Sequence, residues 1–363
     1  MVFLVVLVLI VVAFYFFMHG AQFGAMPSGK RLERIQLSPN YANGRFQNFS
    51  ITPQLTEGAG MGKVLWKFIF QKNKNKEPPA ALPSVKSNLL NLQPERNLLV
   101  WFGHSSYFMQ IDGKTFLVDP VFSGNASPLF FTTKSFAGSD VYTVAELPAI
   151  DYLLITHDHW DHLDFKTVLA LKNKVGTVIT SLGVGDHLEA WGFDKNTISE
   201  NDWNTEINLP GNFKVNTVTA RHFAGRSLKR NNTLWSSFIL TTPTKKIFIG
   251  GDSGYDKHFS IIGNQYGPFD LAILEDGQYN ENWKYIHMMP EETVQAALDL
   301  KAKKLLPVHW GKFSLSVHDW DEPIKRIKKE AYQKKMPLVH PMIGELVDLN
   351  SDQLFSDWWL TVH

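Results

Sequence analysis

The chain has 363 residues, of which 44% are hydrophobic and 13% aromatic, so it is long and apolar enough to bury a sizeable core. Its 36 Lys and Arg residues nearly balance its 35 Asp and Glu residues, and the resulting net charge of +1 argues against nucleic acid as a partner. The absence of cysteine excludes disulfide bonds, thiolate metal ligands and a cysteine nucleophile.

The first predicted element is an apolar helix at residues 1–18, which carry no charged side chain. At about 1.5 Å per residue, such a helix comes close to the ~30 Å hydrocarbon thickness of a bilayer. We interpret residues 1–25 as a transmembrane anchor; the alternative is a secretory signal peptide, which the absence of a positively charged leading region disfavours. Lys30, Arg31 and Arg34 follow the apolar run, so the positive-inside rule places the remaining chain in the cytoplasm.

Two regions of different composition follow. Residues 26–95 are rich in Pro, Asn, Gly and Lys, which favours irregular structure, and we expect them to wrap a domain rather than form one. In residues 96–363, short apolar runs predict strands at residues 98–102, 107–111, 115–118, 152–155, 175–180, 213–219, 236–241, 246–249, 271–274 and 304–308. Asp112-Gly113 predicts a tight hairpin, and helices are predicted to start near Asp164 and at Pro290. This order predicts an α/β domain with sheets inside helical layers.

A dense group of ligand side chains directly follows one of these strands. Residues 156–162 read THDHWDH and contain three histidines and two aspartates. On an extended loop, His157 and His159 point to the same side. Asp161 and His162 can turn toward a second point about 3.5–4 Å away, the separation seen in two-metal sites. The motif therefore predicts a metal centre at this strand end.

Three later strands are followed by further candidate ligands, namely His222, Asp252 and His309. Sites in layered α/β folds collect at the carboxyl ends of strands, so we expect these side chains to join residues 156–162. Imidazole and carboxylate ligands without thiolate favour zinc, with iron and manganese as alternatives. We therefore predict two zinc ions.

The order of these residues resembles the metallo-β-lactamase superfamily, whose dinuclear hydrolases carry the motif HxHxDH. The resemblance implies a four-layer αβ/βα sandwich with two metal ions between the edges of two sheets. It implies that one metal is held by three histidines, which are His157, His159 and His222. The other metal is then held by Asp161, His162 and His309, and Asp252 bridges both.

Further stretches look like the branch of that superfamily formed by the N-acyl-phosphatidylethanolamine-hydrolysing phospholipases D; they are residues 101–106, 220–226, 250–255, 285–292 and 309–311. The resemblance implies a zinc phosphodiesterase that hydrolyses N-acyl phosphatidylethanolamine or a related phospholipid to phosphatidic acid and N-acylethanolamine. Its implied catalytic residues are Asp161, Asp252 and His287. The expected partners are a membrane phospholipid and, through residues 1–18, the lipid bilayer. We expect a single-pass protein of a bacterial inner membrane with its catalytic domain, residues 96–363, in the cytoplasm.

Several other residues allow two interpretations. Arg226 either binds the substrate phosphate or is a structural loop arginine. His104 either lies close behind the metal ligands or makes a structural hydrogen bond, and Asp119 either orients a ligand or begins a turn. Residues 129–131 are either core or a contact with lipid. We interpret His318 as structural.

Three other classes of function compete with the phospholipase. The main alternative is a metal-dependent hydrolase of lactones, carboxylic esters or amides that acts on a small soluble substrate. A nuclease is disfavoured by the nearly neutral charge. A binding protein without catalysis is disfavoured because no residue of the expected ligand set is missing.

Overall fold

The computed structural model describes residues 1–60, 62, 66 and 73–363. Within these residues, two large β-sheets pack face to face and helices cover their outer faces. The strands are β1 Tyr41–Ala42, β2 Arg45–Phe46, β3 Leu98–Trp101, β4 Tyr107–Ile111, β5 Lys114–Val118, β6 Ile150–Ile155, β7 Val175–Ser181, β8 Ile198–Asn201, β9 Thr205–Leu209, β10 Phe213–Val218, β11 Ser237–Thr241, β12 Lys246–Ile249, β13 Leu271–Glu275, β14 Leu305–Val308 and β15 Leu346–Asp348. The helices are α1 Val2–Met18, α2 Gly29–Gln36, α3 Phe165–Leu171, α4 Gly185–Ala190, α5 His258–Tyr266, α6 Pro290–Asp299 and α7 Glu322–Lys334.

The first sheet has seven strands in the order β15-β3-β4-β5-β6-β7-β8. Neighbouring strands are antiparallel from β15 to β5 and parallel from β5 to β8. The β4–β5 hairpin closes at Asp112 and Gly113, whose φ angles of 49° and 78° suit a two-residue turn between twisted strands. The hairpin predicted at this dipeptide is confirmed.

The second sheet has six strands in the order β14-β13-β12-β11-β10-β9. Its strands are antiparallel from β9 to β12 and parallel from β12 to β14. The carboxyl ends of β6 in the first sheet and of β12 and β14 in the second lead into the loops that carry most of the predicted ligands. The fold therefore brings these loops to the sheet edge where sites form in α/β proteins.

Alternating side chains divide the core into layers. Along β4, Tyr107 and Met109 lie in the central layer between the two sheets. Phe108 points the other way and packs with Val168 of α3. On the far side of the second sheet, α6 contributes Val294 to the core, and α6 also packs against α7. The four-layer α/β sandwich predicted for this chain is confirmed.

The apolar N-terminal segment forms helix α1, which has 17 residues and no buried side chain. Within the part of the chain that the structure describes, no helix combines the length and the apolar character that a membrane crossing requires. The transmembrane anchor predicted for residues 1–25 is therefore wrong, and so is the single-pass position in an inner membrane with a cytoplasmic catalytic domain. At about 1.5 Å per residue, 17 residues of helix reach about 25 Å, which is shorter than the ~30 Å of hydrocarbon to be crossed.

Two of the basic residues that follow α1, Arg31 and Arg34, have partners within the protein. Arg31, whose side chain is 17% exposed, forms ion pairs with Asp186 and Glu189 of α4 and with Glu200 of β8. Arg34 donates a hydrogen bond to the backbone carbonyl of Glu200. These charges, which the positive-inside rule assigned to a membrane surface, hold α2 against the first sheet.

Residues 26–95 contact the rest of the protein at several described positions. Ile35 of α2 and Phe46 of β2 are fully buried, in a cluster that includes Trp235. The Val85 amide donates a hydrogen bond of 2.8 Å to the Ile343 carbonyl. The domain boundaries placed after residues 25 and 95 stay predictions.

Candidate metal centre

The metal loop, defined as residues 156–162, begins where β6 ends. The Asp119 carboxylate accepts hydrogen bonds from the Thr156 amide and hydroxyl, at 2.9 and 2.6 Å. Further along, the chain turns back, and the His162 amide donates to the His159 carbonyl at 3.1 Å. This turn aims the second half of the metal loop at a different point from the first half.

Three histidine nitrogens converge at the first of these points. His159 Nδ1 lies 2.9 Å from His157 Nε2 and 3.3 Å from His222 Nε2. Asp252 Oδ2 lies 3.8 Å from His157 Nε2 and 3.7 Å from His222 Nε2. These four residues form the first donor group. The structure thus brings together the three histidines predicted for one metal, and their role as ligands stays a prediction.

The second donor group consists of His104, Asp161, His162 and His309. Asp161 Oδ2 lies 3.5 Å from His162 Nε2 and 4.0 Å from His309 Nε2. Asp252 Oδ2 lies 3.2 Å from His162 Nε2, so the same carboxylate oxygen borders both donor groups. A ligand that bridges two metals needs this placement.

The donor atoms of both groups suit divalent cations. His162 Nε2 and Asp252 Oδ1 are buried and have no hydrogen-bond partner among the described residues, which is costly for polar atoms. His157 Nε2 and His159 Nδ1 face each other at 2.9 Å, and two such lone pairs require a proton or a cation between them. Imidazole and carboxylate are ligands that zinc accepts. The residues present therefore fit bound divalent ions.

Asp119 orients a candidate ligand, which is one of the two interpretations open for it. Its Oδ2 accepts a hydrogen bond of 2.8 Å from His162 Nδ1. In the neutral imidazole Nδ1 carries that proton, and His162 Nε2 then offers a lone pair to the second donor group. The carboxylates of Asp252 and Asp161 outweigh burial and hold the pKa of His162 well above its ordinary value. The Asp119 carboxylate also holds Thr156, so it fixes both the start of the metal loop and one of its histidines.

Two further histidines are oriented in the same manner. His222 Nδ1 donates to the Ile286 carbonyl at 2.8 Å, and His309 Nδ1 is hydrogen bonded to Ser105 Oγ at 2.9 Å. With one ring nitrogen bonded outside the centre, the other is directed into a donor group. Burial lowers the pKa of both histidines well below the ordinary value, which favours the neutral imidazole that ligates metals.

His104 lies close to the metal donors, as one of its two interpretations predicted. Its Nε2 is 2.9 Å from Asp161 Oδ2. Its amide donates to the Trp310 carbonyl at 2.8 Å, and its carbonyl accepts from the His309 amide at 2.9 Å. These reciprocal backbone bonds tie the loop after β3 in the first sheet to the loop after β14 in the second.

His287 stands beside both donor groups, with its ring centroid 5.0 Å from that of His222 and 5.3 Å from that of His309. Its Nδ1 is hydrogen bonded to Glu275 Oε2 at 2.5 Å. Burial lowers the pKa of His287, but the Glu275 carboxylate, together with those of Asp252 and Asp161, outweighs burial and raises the pKa to about 9. Glu275 was not among the site residues predicted from the sequence. The sequence feature that could have revealed it is an acidic residue at the end of the buried apolar strand β13.

A cavity of about 280 Å³ opens onto the two donor groups. Its polar side is formed by His159, Asp161, His222, Asp252, His287 and His309. Its other walls are largely apolar and include Leu55, Phe223, Trp283, Ile286 and Leu315. A larger groove of about 700 Å³ beside β15 contains none of the predicted ligands. The chemistry of the side chains therefore assigns the site to the smaller cavity.

Arg226 has a structural role, which is the second of its two interpretations. It is 4% exposed, and its guanidinium donates hydrogen bonds to the backbone carbonyls of Asp158, Leu163 and Gln22. The guanidinium also lies over the Trp160 ring, 3.9 Å from its centroid. These contacts are with the metal loop, with Leu163 next to it and with the N-terminal segment, and Arg226 does not line the cavity.

The remaining candidates lie away from the donor groups. His318 Nε2 accepts a hydrogen bond of 2.9 Å from the Gln278 amide, and its ring stacks on Tyr279 at 4.7 Å, so it is structural as predicted. Phe130 and Phe131 are 74% and 58% exposed. Of the two interpretations for residues 129–131, burial in the core is therefore excluded for these two side chains.

Comparison with known proteins supports the superfamily that the HxHxDH motif predicted. A family model described as a β-lactamase superfamily domain matches residues 114–310. An uncharacterized protein of Mycobacterium tuberculosis is 38% identical over 349 residues, which are 94% of this chain and 93% of that protein. N-acyl-phosphatidylethanolamine-hydrolyzing phospholipase D 1 of Caenorhabditis elegans is 28% identical over 316 residues, 78% of this chain and 84% of that protein.

Solved structures show the same fold. A metallo hydrolase from the archaeon Ignicoccus hospitalis matches with a TM-score of 0.54 at 19% identity, covering 70% of this chain and 98% of that chain. The matched family segment contains every residue of the first donor group and all of the second except His104. The chain belongs to the β-lactamase superfamily, as its HxHxDH motif predicted, and it is a metal-dependent hydrolase of that family.

Proposed function

We propose that this protein is a two-metal phosphodiesterase of the phospholipase D type, which hydrolyses N-acyl phosphatidylethanolamine or a related phospholipid to phosphatidic acid and N-acylethanolamine. The observation that carries the proposal is a pair of donor groups that share Asp252 and open into a cavity with apolar walls. Two adjacent metal sites suit in-line displacement at phosphorus, and apolar walls suit a lipid. The named activity of the Caenorhabditis elegans relative supports the same substrate class.

We propose zinc as the resident metal, with iron and manganese as alternatives. The donor set contains only imidazole nitrogen and carboxylate oxygen, which zinc accepts in hydrolases. Divalent ions in such a site supply Lewis acidity, which lowers the pKa of water and stabilises negative charge that develops on phosphate oxygens.

Two carboxylates have distinct parts in this proposal. The Asp161 side chain is 12% exposed and borders the cavity, where its carboxylate orients the attacking water and accepts a proton from it. Asp252 is 2% exposed and reaches both donor groups, so it sets the distance between them. His287 also borders the cavity, which places its imidazole where an oxygen leaving phosphorus can receive a proton.

The size of the cavity favours a second candidate, a hydrolase of small lactones, carboxylic esters or amides. A volume of about 280 Å³ lies just below the range for ligand pockets, roughly 300–1,000 Å³. Such a pocket admits a small substrate whole, whereas a phospholipid places only its head group and part of one chain inside. Paired metal sites also polarise a carbonyl group.

A lipid assay separates the two candidates. Purified, metal-loaded protein is incubated with a mixed phospholipid extract dispersed in detergent, and the lipids are quantified by mass spectrometry. We expect N-acyl phosphatidylethanolamine to fall and phosphatidic acid to rise, with no change in a reaction that contains Asp252→Ala. Turnover of a lactone without phosphatidic acid from any phospholipid would overturn the phospholipase proposal and support the second candidate.

The same assay tests the phospholipid partner, which stays a prediction. Contact between residues 1–18 and a bilayer also stays a prediction.

A further inference from the structure

We propose that Glu275 is a positioning residue, which holds His287 so that Nε2 of that imidazole donates a proton to the oxygen that leaves phosphorus. This inference rests on the proposed phosphodiesterase function. It adds a residue that neither the HxHxDH motif nor the first and second donor groups contain. Glu275 and His287 belong to a third set of donor side chains, with Asp252 and His309, whose donor atoms lie within 4.8 Å of one another.

Three N–H groups donate hydrogen bonds to the Glu275 side chain and hold it in the site. Glu275 is the last residue of β13 and is 0% exposed. Its Oε2 accepts the hydrogen bond from His287 Nδ1 at 2.5 Å. Its Oε1 accepts hydrogen bonds from the Met288 amide at 2.8 Å and from the Ser253 amide at 3.3 Å. Burial raises the pKa of the Glu275 carboxyl group, whereas the hydrogen bonds from His287 and Met288 oppose that rise and fix the orientation of the side chain.

The hydrogen bond to Glu275 decides which atom of His287 faces the substrate. Nδ1 is occupied by Glu275, whereas Nε2 has no hydrogen-bond partner among the residues described. The ring borders the cavity and lies beside the rings of His222 and His309. Nε2 is therefore the ring nitrogen that can donate to a bound molecule.

The partner of His287 is a carboxylate, which makes proton donation chemically consistent. An imidazole that donates from both nitrogens carries a positive charge, and a buried positive charge needs a negative partner close by. Glu275 supplies that partner at hydrogen-bond distance. The same arrangement, in which a carboxylate orients a histidine and stabilises its charged form, serves proton transfer in hydrolytic triads.

In the proposed step, one bond forms at phosphorus and one bond breaks. The oxygen of water forms a bond to phosphorus, and the bond between phosphorus and the leaving oxygen breaks. The electron pair of that bond stays on the leaving oxygen, which takes the proton from His287 Nε2. The proton that water loses goes to Asp161 and then to solvent, and His287 regains a proton from solvent. Glu275 keeps its negative charge throughout.

A neighbouring carboxyl group offers a matched control. Asp276 is also 0% exposed, but neither of its oxygens has a hydrogen-bond partner among the described residues, and it does not border the cavity. Asp276→Asn therefore changes a buried carboxyl group at the same strand end without touching His287. It controls for the cost of altering this part of the fold.

The experiment compares two leaving groups. N-acyl phosphatidylethanolamine in detergent micelles releases an alkoxide that needs a proton, whereas bis(4-nitrophenyl) phosphate releases a stable anion that does not. We expect Glu275→Gln to lower kcat about 10²-fold on the lipid but by less than about threefold on the nitrophenyl diester. Asp276→Asn should leave the ratio of the two rates unchanged, and Glu275→Asp should recover part of the lipid rate.

Two further measurements separate positioning from a structural role. In a His287→Ala background, adding Glu275→Gln should cause no additional loss on the lipid, because the two residues then act as one unit. Proton NMR of the metal-loaded protein should show a downfield His287 Nδ1–H resonance that Glu275→Gln shifts and Asp276→Asn retains. Elemental analysis should find the same metal content in all these proteins.

The outcomes distinguish this inference from the function on which it rests. Equal losses on both substrates, or loss of metal in Glu275→Gln, would overturn the role of Glu275 while the phosphodiesterase assignment stands. A wild-type protein that hydrolyses neither diester would overturn the phosphodiesterase assignment and this inference with it.

Discussion

The metal loop and helix α1 are the two most conspicuous stretches of the sequence, and they differ in how far their side chains are buried. The metal loop is largely buried, and its histidines and Asp161 meet partners that follow four other strands. Helix α1 has no buried side chain. The loop is defined by specific side chains at fixed spacing, whereas the helix is defined only by apolar composition. The spacing of the ligand side chains correctly predicted that they converge at the metal loop. The apolar composition of α1 did not correctly predict a transmembrane helix.

The two regions meet at the segment that follows α1. Phe23 packs edge-on against Trp160 of the metal loop, with ring centroids 5.2 Å apart. The Gln22 carbonyl accepts from Arg226 at 3.2 and 3.0 Å. The contact between the N-terminal segment and the metal loop is therefore made by the residues after α1.

Asp252→Ala should have the largest effect, because one oxygen of Asp252 borders both donor groups. We expect phosphodiester hydrolysis to fall at least about 10³-fold, as for the loss of a central electrostatic group. Elemental analysis should find about two divalent ions per wild-type chain, mostly zinc, and fewer in the variant. One ion or none in the wild-type protein would contradict the arrangement in two donor groups.

Arg226→Ala should have the next largest effect, because it leaves the backbone carbonyls of Asp158, Leu163 and Gln22, the first two of them buried, without their donor. We expect the free energy of unfolding to fall by about 2–4 kcal/mol. Arg230→Ala is the matched control, since Arg230 is exposed and makes a cation–π contact with Phe223. Equal stability of the two variants in urea would show that Arg226 does not brace the metal loop.

Removal of the metals should also destabilise the protein. A bound ion stabilises the folded state by about 2.7 kcal/mol when its free concentration is 100-fold above Kd. We expect a chelator to lower Tm and added zinc to restore it, measured by differential scanning fluorimetry. Asp252→Ala should respond much less to either treatment. A Tm that ignores the chelator would mean that the donor groups are stable without ions.

Deletion of residues 1–18 should have the smallest effect, because α1 contributes no buried side chain. We expect the free energy of unfolding to stay within about 0.5 kcal/mol and the rate on bis(4-nitrophenyl) phosphate to be unchanged. A longer deletion, of residues 1–27, also removes Gln22 and Phe23 and should lower Tm clearly. If the shorter deletion lowers Tm more than the longer one does, α1 contributes to stability and the contrast in burial between α1 and the metal loop does not hold.

The sequence could predict the location of the candidate metal-ligating side chains, because a set of histidines and aspartates at strand ends has few other roles. His157, His222 and Asp252 were assigned to one centre because each follows a strand and few other roles need that set. The pairing of His104 with Asp161 joins residues 57 positions apart and depends on how two sheets align. The pairing of Glu275 with His287 is likewise visible only when β13 is seen ending beside His287. Helix α1 was misassigned because apolar composition does not reveal where a helix ends.

The reciprocal backbone bonds between His104 and the loop of His309 have a consequence for how the protein can evolve. These bonds join the two sheets through amide and carbonyl groups, which every residue other than proline retains after substitution. Drift in neighbouring side chains, such as Leu315 on the cavity wall, therefore leaves the connection intact. Selection can thus change which molecules enter the pocket, while the backbone hydrogen bonds that set the spacing of the ligand side chains are kept.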